Sequence, residues 1–239
     1  MKTAIIINGF LRTWSDTYLN FLETFSHLNA DVFVSTYDQQ YGYASHIINL
    51  CNAREDYILT NQYVQSIFEP VKPVLLLIDN AEIIDSILER ESPNIHPLLR
   101  EFKGSYGQSR KLKIISDIVR NYEDENNFKY DVIIKTRADL IYNSNIDLSM
   151  GEKDIIIDSG NKYPNDWFFM VNREDYYHVV DYLYYEFINF TNPTSAEHPP
   201  HKLHENAFNS RNLNIKPRHL ARSVLRSTGE QVFEPVTCF

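Results

Sequence analysis

Three charged side chains at alternate positions, Lys135, Arg137 and Asp139, close the apolar run that precedes them in Ile133-Ile-Lys135-Thr-Arg137-Ala-Asp139-Leu140. If the strand stays extended, the two-residue period puts all three on one face. Charges at the end of a buried strand are costly unless they meet a partner. A diphosphate with a divalent cation, Mn²⁺ or Mg²⁺, is such a partner: Asp139 would hold the hard metal through oxygen, and Arg137 would neutralise phosphate bidentately. An internal Arg137–Asp139 pair would satisfy the same charges. The spacing leaves both open.

Other segments offer matching chemistry. Asn8-Gly9-Phe10-Leu11-Arg12-Thr13 is not a GxGxxG fingerprint, but it sets Arg12 where a helix begins, so guanidinium and free amides can meet an anion. Ser35-Thr36-Tyr37-Asp38 offers hydroxyls and a carboxylate to a base or ribose. In Gly107-Gln108-Ser109-Arg110-Lys111-Leu112-Lys113, the cations Arg110, Lys111 and Lys113 fall in the first turn of a helix predicted to start near Ser109. Each would cost up to about 1 kcal/mol against the macrodipole unless an anion docks there. Asp166, ahead of Trp167, is of the right type to take a proton from an acceptor hydroxyl. His198, His201, His204 and Glu205 crowd into eight residues. His201 and His204, at i,i+3, could meet one metal, although no HExxH pattern is present.

Positioning these residues falls to an alternation of strands and helices. Apolar runs predict strands at Thr3–Asn8, Asp31–Thr36, Pro73–Ile78, Tyr130–Thr136, Asp154–Asp158 and Trp167–Val171. Helical spacing predicts helices over Ser15–His27, Ala81–Arg90, Ser109–Tyr122, Glu174–Phe190 and His204–Arg211. Tyr37–Pro70 gives a confused signal that favours helix over loop. Ser92–Gly107 and His198–His201 read as loops, and the tail to Phe239 has little periodicity. The β-α-β opening implies a right-handed crossover and parallel pairing. We expect one α/β domain over residues 1–239, with a mostly parallel central sheet flanked by helices and an irregular C-terminal third. Ligands would then sit beyond the carboxyl ends of the strands.

Composition narrows the class. With 23 Lys+Arg against 32 Asp+Glu, the net charge of −9 disfavours a nucleic-acid partner. The longest aliphatic runs are too short for a membrane span, and no basic segment leads into an apolar stretch at the start, so no signal peptide is expected. Cys51 and Cys238 are far apart and form no zinc or redox motif, which fits reduced thiols in the cytoplasm. Seven glycines against 16 Tyr and 14 Phe leave no material for glycine-rich phosphate loops. The tyrosines between Tyr176 and Tyr185 read as a helix packed on the sheet, with sugar stacking as the other use.

Taken in order, Asn8-Gly-Phe-Leu-Arg-Thr, Asp31-Val-Phe-Val-Ser-Thr, Gly107-Gln-Ser and Asp131-Val-Ile-Ile-Lys-Thr-Arg-Ala-Asp-Leu140 resemble the glycosyltransferase-like proteins of bacterial and viral surface-polysaccharide loci. The resemblance covers roughly residues 3–175 and implies a GT-A-like, Rossmann-like fold. Residues 1–140 would form the nucleotide-binding half and residues 141–239 the acceptor-side half. It implies transfer of a sugar from a nucleoside-diphosphate sugar to a glycan or lipid-linked acceptor. Asp139 would be the metal or diphosphate carboxylate. Gly9, Arg12, Ser35, Thr36 and Tyr37 would line the nucleotide pocket, with Gln108, Arg110 and Lys111 facing the donor. Asp166 would be the base, Arg137 would stabilise the departing diphosphate, and His204 would add to the metal shell. Arg137 stands where most GT-A enzymes carry the first carboxylate of Asp-x-Asp. That departure keeps a non-catalytic nucleotide- or glycan-binding relative as the second reading. A sulfotransferase or nucleotidyltransferase is a weaker third, opposed by the missing glycine-rich loop.

Overall fold

A computed structural model describes residues 1–11, 13–38, 59–80, 86–87, 90, 103–143, 145–158, 167–189, 199–225 and 231–232 of the chain. A mixed sheet of seven strands forms the centre, in the order β3-β2-β1-β4-β7-β6-β8. Its strands are β1 (Thr3–Asn8), β2 (Asp31–Tyr37), β3 (Leu75–Asp79), β4 (Val132–Thr136), β6 (Asp154–Asp158), β7 (Phe169–Asn172) and β8 (Asn214–Arg218). The pairs β1–β2, β2–β3, β1–β4 and β6–β8 are parallel, whereas β7 runs antiparallel to both β4 and β6. A second sheet of β5 (Leu140–Tyr142), β9 (Ala221–Leu225) and β10 (Gln231–Val232) starts directly after the turn that ends β4.

The two-residue period sorts the core. Ala4, Ile6, Phe33 and Ile133 point to one face, against α3 (Lys103–Glu125), α4 (Arg173–Asn189) and α5 (Pro199–Asn209). Ile5, Ile7, Val34 and Ile134 point to the other, against α1 (Trp14–Phe25) and α2 (Asn61–Phe68). All six residues of β1 are buried, which is why the run carries no polar alternation. On the second face the Trp14 ring stacks on Phe68 at 4.7 Å and its indole N–H donates to the Ile67 carbonyl at 2.9 Å, tying α1 to α2. Tyr176 and Tyr177 of α4 are buried, so the tyrosine-rich helix builds core, as its spacing suggests. No helix among the described residues is long and apolar enough to cross a membrane.

Several boundaries differ from the sequence reading. Helix α3 begins at Lys103, inside the segment expected to be a loop, because its two glycines (about 1 kcal/mol each relative to alanine) are outweighed by tertiary packing. Helix α5 begins at Pro199, where a missing N–H costs nothing in the first turn, so Pro199–His201 is helix rather than loop. The described part of the C-terminal third is regular rather than irregular. It supplies an edge strand and two strands of the small sheet, each five residues or shorter, which leaves little periodic signal. The helix expected over Ala81–Arg90 falls mostly outside the described residues, although Ser86, Ile87 and Arg90 are helical.

At the amino end of the sheet, Glu123 closes three elements on one carboxylate. Arg173 Nε donates to Oε1 at 2.7 Å, Tyr177 donates its hydroxyl to Oε2 at 3.0 Å, and the Tyr130 amide donates to Oε1 at 2.8 Å. The carboxylate is fully buried and Arg173 nearly so. Replacing Glu123 with Ala leaves the Tyr130 amide unpaired and the Arg173 guanidinium with only the exposed Glu174, and should cost about 3 kcal/mol in urea unfolding. A loss under about 1 kcal/mol would mean that water replaces the carboxylate.

Candidate functional site

The strand order fixes where a ligand would enter. From β1 the chain steps outward to β2 and β3, then returns to place β4 on the other side of β1, so the connections diverge at the carboxyl ends of β1 and β4. Such a switch point leaves a crevice that no connection covers. Two polar clusters flank it, one beyond β1 to β3 and one beyond β4.

The first cluster joins the ends of β2 and β3 to α3. Lys111 is 1% exposed, and its ammonium donates to Asp79 Oδ2 at 2.9 Å and lies 4.3 Å from the centre of the Tyr37 ring. Phe10 stacks on Tyr37 at 4.4 Å. Burial pulls the Lys111 pKa from 10.5 to about 8, with Asp79 acting in the opposite direction and Arg110 adding a smaller downward push. Burial, and then Asp79, pushes the Tyr37 phenol well above its usual range. Next to this pair a cavity of about 130 Å³ is lined by Tyr37, Leu77, Asp79, Asn80, Tyr106 and Arg110, among others. Asn8 donates its amide N–H to the Gln108 carbonyl at 3.0 Å, fastening α3 to the end of β1. Asn8 Oδ1, Ser35 Oγ and Thr36 Oγ1 are buried without a hydrogen-bond partner among the described residues, which is uncommon for such groups. Gly9 follows at φ +127°, with its amide donating to the Ser35 carbonyl at 3.0 Å and nothing within 4 Å of where a Cβ would stand.

The second cluster is the turn between β4 and β5. Arg137 Nε donates to Asp139 Oδ1 at 2.9 Å and its Nη2 to Oδ2 at 2.6 Å, a bidentate pair with exposures of 8% and 1%. Helix α1 holds the turn: Thr17 donates its hydroxyl to the Ala138 carbonyl at 2.5 Å, and the Asn20 side chain brackets the Tyr142 backbone at 3.1 and 2.7 Å. The Tyr142 hydroxyl bonds Thr136 Oγ1, linking the two sheets. Burial is the main reason its phenol is raised, and Asp158 and Asp139 raise it further. Asp158, 1% exposed, accepts from the Leu220 amide at 3.0 Å. The Trp167 ring lies 5.9 Å from the Arg137 guanidinium.

The structure therefore groups Tyr37 and Arg110 around one cavity, sets Lys111 behind it on Asp79, and places Gly9, Ser35, Thr36 and Gln108 at the ends of β1 and β2 and on α3. Arg137 and Asp139 sit one strand over. Strand β4 ends at Thr136 and turns, so Lys135, Arg137 and Asp139 do not share an extended face. Lys135 packs with the core, in register with Ile6 and Phe169. Arg110, Lys111 and Lys113 lie beyond the first turn of α3, so the macrodipole argument for an anion does not hold. Lys111 and Lys113 are instead matched by Asp79 and by Asp117 and Asp181. Among the described residues no group of three or more His, Cys, Asp or Glu side chains could hold a metal ion. His204 is buried in α5 with its ring edge-on to Phe208 at 6.3 Å, and it joins no such group with Asp139. Glu205 pairs with Lys202 at 2.8 Å. Arg12, Asp166, His198 and the side chain of His201 lie outside the described residues. The sequence reading missed Asp79, Asn8, Tyr142 and Asp158. For Asp79 a signal existed: Asp79-Asn80 follows the Leu75–Ile78 run just as Ser35–Asp38 follows β2.

Removing either member of the Lys111–Asp79 pair should have unequal effects. Asp79→Asn leaves a buried ammonium uncompensated and should cost about 3 kcal/mol, whereas Lys111→Met leaves a carboxylate that is 28% exposed and can rehydrate. The folded-state pKa of Lys111 is depressed, so the folded chain binds fewer protons than the unfolded chain between about pH 8 and 10.5. This group then adds stability as pH rises through that window. Lys111→Met should therefore compare best with wild type below pH 8 and lose ground toward pH 10 in denaturant titrations; a pH-independent difference would show that Lys111 does not titrate there.

No protein-family model matches the chain, and no curated protein is significantly similar to it.

Proposed function

We propose that the chain is a GT-A-type glycosyltransferase that moves a sugar from a nucleoside-diphosphate sugar to a glycan or lipid-linked acceptor. The observation that carries this reading is the buried Arg137–Asp139 turn at the crevice between β1 and β4, with a lined cavity two to three strands away. At about 4.8 Å per strand, the ends of β4 and of β2 and β3 are roughly 10–15 Å apart, the reach of a nucleoside diphosphate laid along the carboxyl edge. The base end would occupy the cavity, and the diphosphate would meet Arg137. The single antiparallel strand β7 and the small sheet that starts at β5 also suit the fold that the motif order resembles.

In this mechanism Arg137 supplies fixed positive charge where the leaving diphosphate gains negative charge, in a site that excludes water. Asp139 orients the guanidinium by gripping both its donors on one edge. The described residues do not assemble a divalent-cation site, because both Asp139 oxygens are engaged by Arg137 and no third ligand group is near. In this reading charge neutralisation falls to the arginine. Asp166 is the proposed base that takes the acceptor proton; its neighbour Trp167 faces Arg137.

The same mutual pairing favours a second reading. A guanidinium and carboxylate that satisfy each other form a stable binding surface without turnover, as in a nucleotide- or glycan-binding relative of the fold.

Thermal unfolding with UDP, GDP, CMP and TDP, each with and without Mn²⁺, tests both. A nucleotide at 100 times its Kd should stabilise the chain by about 2.7 kcal/mol. No shift with any of them sinks the nucleotide-sugar reading, and a shift without sugar transfer or hydrolysis favours the binding module. Arg137→Lys keeps the charge but loses the bidentate fork, and should lower transfer by roughly 10²-fold with the nucleotide-induced shift retained.

A further inference from the structure

Helix α1 meets the turn between β4 and β5 with two side chains, Thr17 and Asn20, spaced so that both lie on one face of the helix. Thr17 is buried, and its hydroxyl has a single proton to give. Three carbonyls are in range: Ala138 at 2.5 Å, and Thr13 and Trp14 at the start of its own helix at 3.2 and 3.4 Å. A threonine inside a helix ordinarily returns that proton to the carbonyl four residues earlier. Here the shortest contact crosses to Ala138, so the proton serves the turn rather than the helix. Valine, branched in the same way, would fill the same space without the bond.

Ala138 stands between Arg137 and Asp139, so its carbonyl is the apex of the turn that carries the bidentate pair. Asn20 acts on the following segment. Its amide donates to the Tyr142 carbonyl at 3.1 Å, and its oxygen accepts from the Tyr142 amide at 2.7 Å. The Tyr142 hydroxyl reaches back to Thr136, the residue before Arg137. The turn is thus fixed at its apex and across its flanks. The same helix begins beside the first cluster, where the Trp14 amide donates to the Leu11 carbonyl at 3.0 Å and Phe10 stacks on Tyr37. One element therefore sets both clusters in a common frame.

We propose, resting on the glycosyltransferase reading above, that Thr17 is a positioning residue with Asn20 as its support. Through the Ala138 carbonyl, Thr17 holds the Arg137 guanidinium where the departing diphosphate gains charge. Preorganised charge is effective only while its direction is fixed, and a displacement of about 1 Å can cost roughly 10²-fold in rate. Thr17 touches no reacting atom, so its loss slows the chemical step and leaves donor binding unchanged.

Solvent exchange of the Arg137 Nε–H, read from proton–nitrogen correlation spectra of the full chain and assigned by its loss in Arg137→Lys, reports on the turn without any substrate. The Arg173 Nε–H, which donates to Glu123 at the other end of the sheet, is the internal control. Thr17→Val should speed exchange at Arg137 by at least roughly tenfold with Arg173 unchanged, and Thr17→Ser should restore it. Asn20 is only half-buried, so Asn20→Ala serves if Thr17→Val does not fold, and should speed the same signal. Equal acceleration at both arginines would make Thr17 a general stabiliser of the fold, and no acceleration would show that the turn holds itself. Either result overturns the positioning role. In a transfer assay with UDP-, TDP- and GDP-sugars, Thr17→Val should lower kcat by roughly tenfold at unchanged KM, and a raised KM with kcat retained also overturns it. No transfer by the unaltered chain sinks the glycosyltransferase reading, and the Arg137 exchange still decides whether Thr17 holds the turn.

Discussion

Burial of β1 on both faces is the constraint from which the rest follows. A strand with no solvated side must be covered by helices above and below, and must be paired along both edges to satisfy its backbone. Parallel neighbours β2 and β4 meet that demand, and their crossover connections deliver the helices. Four strands then end on the same edge. The residues that follow them, Gly9, Asp38, Asn80 and Arg137, are gathered there without any contact among themselves being needed.

Charge at that edge is managed by pairing rather than by exposure. Lys111 with Asp79, and Arg137 with Asp139, are partly or wholly withdrawn from water, where an unpaired charge would be costly. Each pair fixes the orientation of a group that could face a ligand: a carboxylate oxygen in one case, a guanidinium edge in the other. Few glycines are needed for this, because side chains and strand-end positions make the site.

Lys111 shows how the same residue changes meaning with context. In sequence it is one of a cationic cluster near a predicted helix start; in the fold it is two turns further in, buried, and matched to a residue 32 positions away. Arg110 of that cluster does line the cavity, but the reason its position suggested does not apply. The macrodipole has no part in it. Tertiary pairing with Asp79, invisible to local spacing, accounts for the charge.

The sequence by itself determined the elements that bury two faces. Thr3–Asn8, Asp31–Tyr37 and Val132–Thr136 are legible because continuous β-branched runs have few other folds, and α1 and α4 because their apolar spacing is helical. It also marked the strand ends as the candidate place for chemistry. Tertiary structure alone decided the start of α3, the small sheet, the strands of the C-terminal third, and the partners of the buried charges. The β5 strand is three residues long and β8 is an exposed edge, so neither leaves a pattern to read. The partners of Lys111 and Glu123 lie 32 and 50 residues away, where only the packing of the sheet against its helices brings them within hydrogen-bond reach.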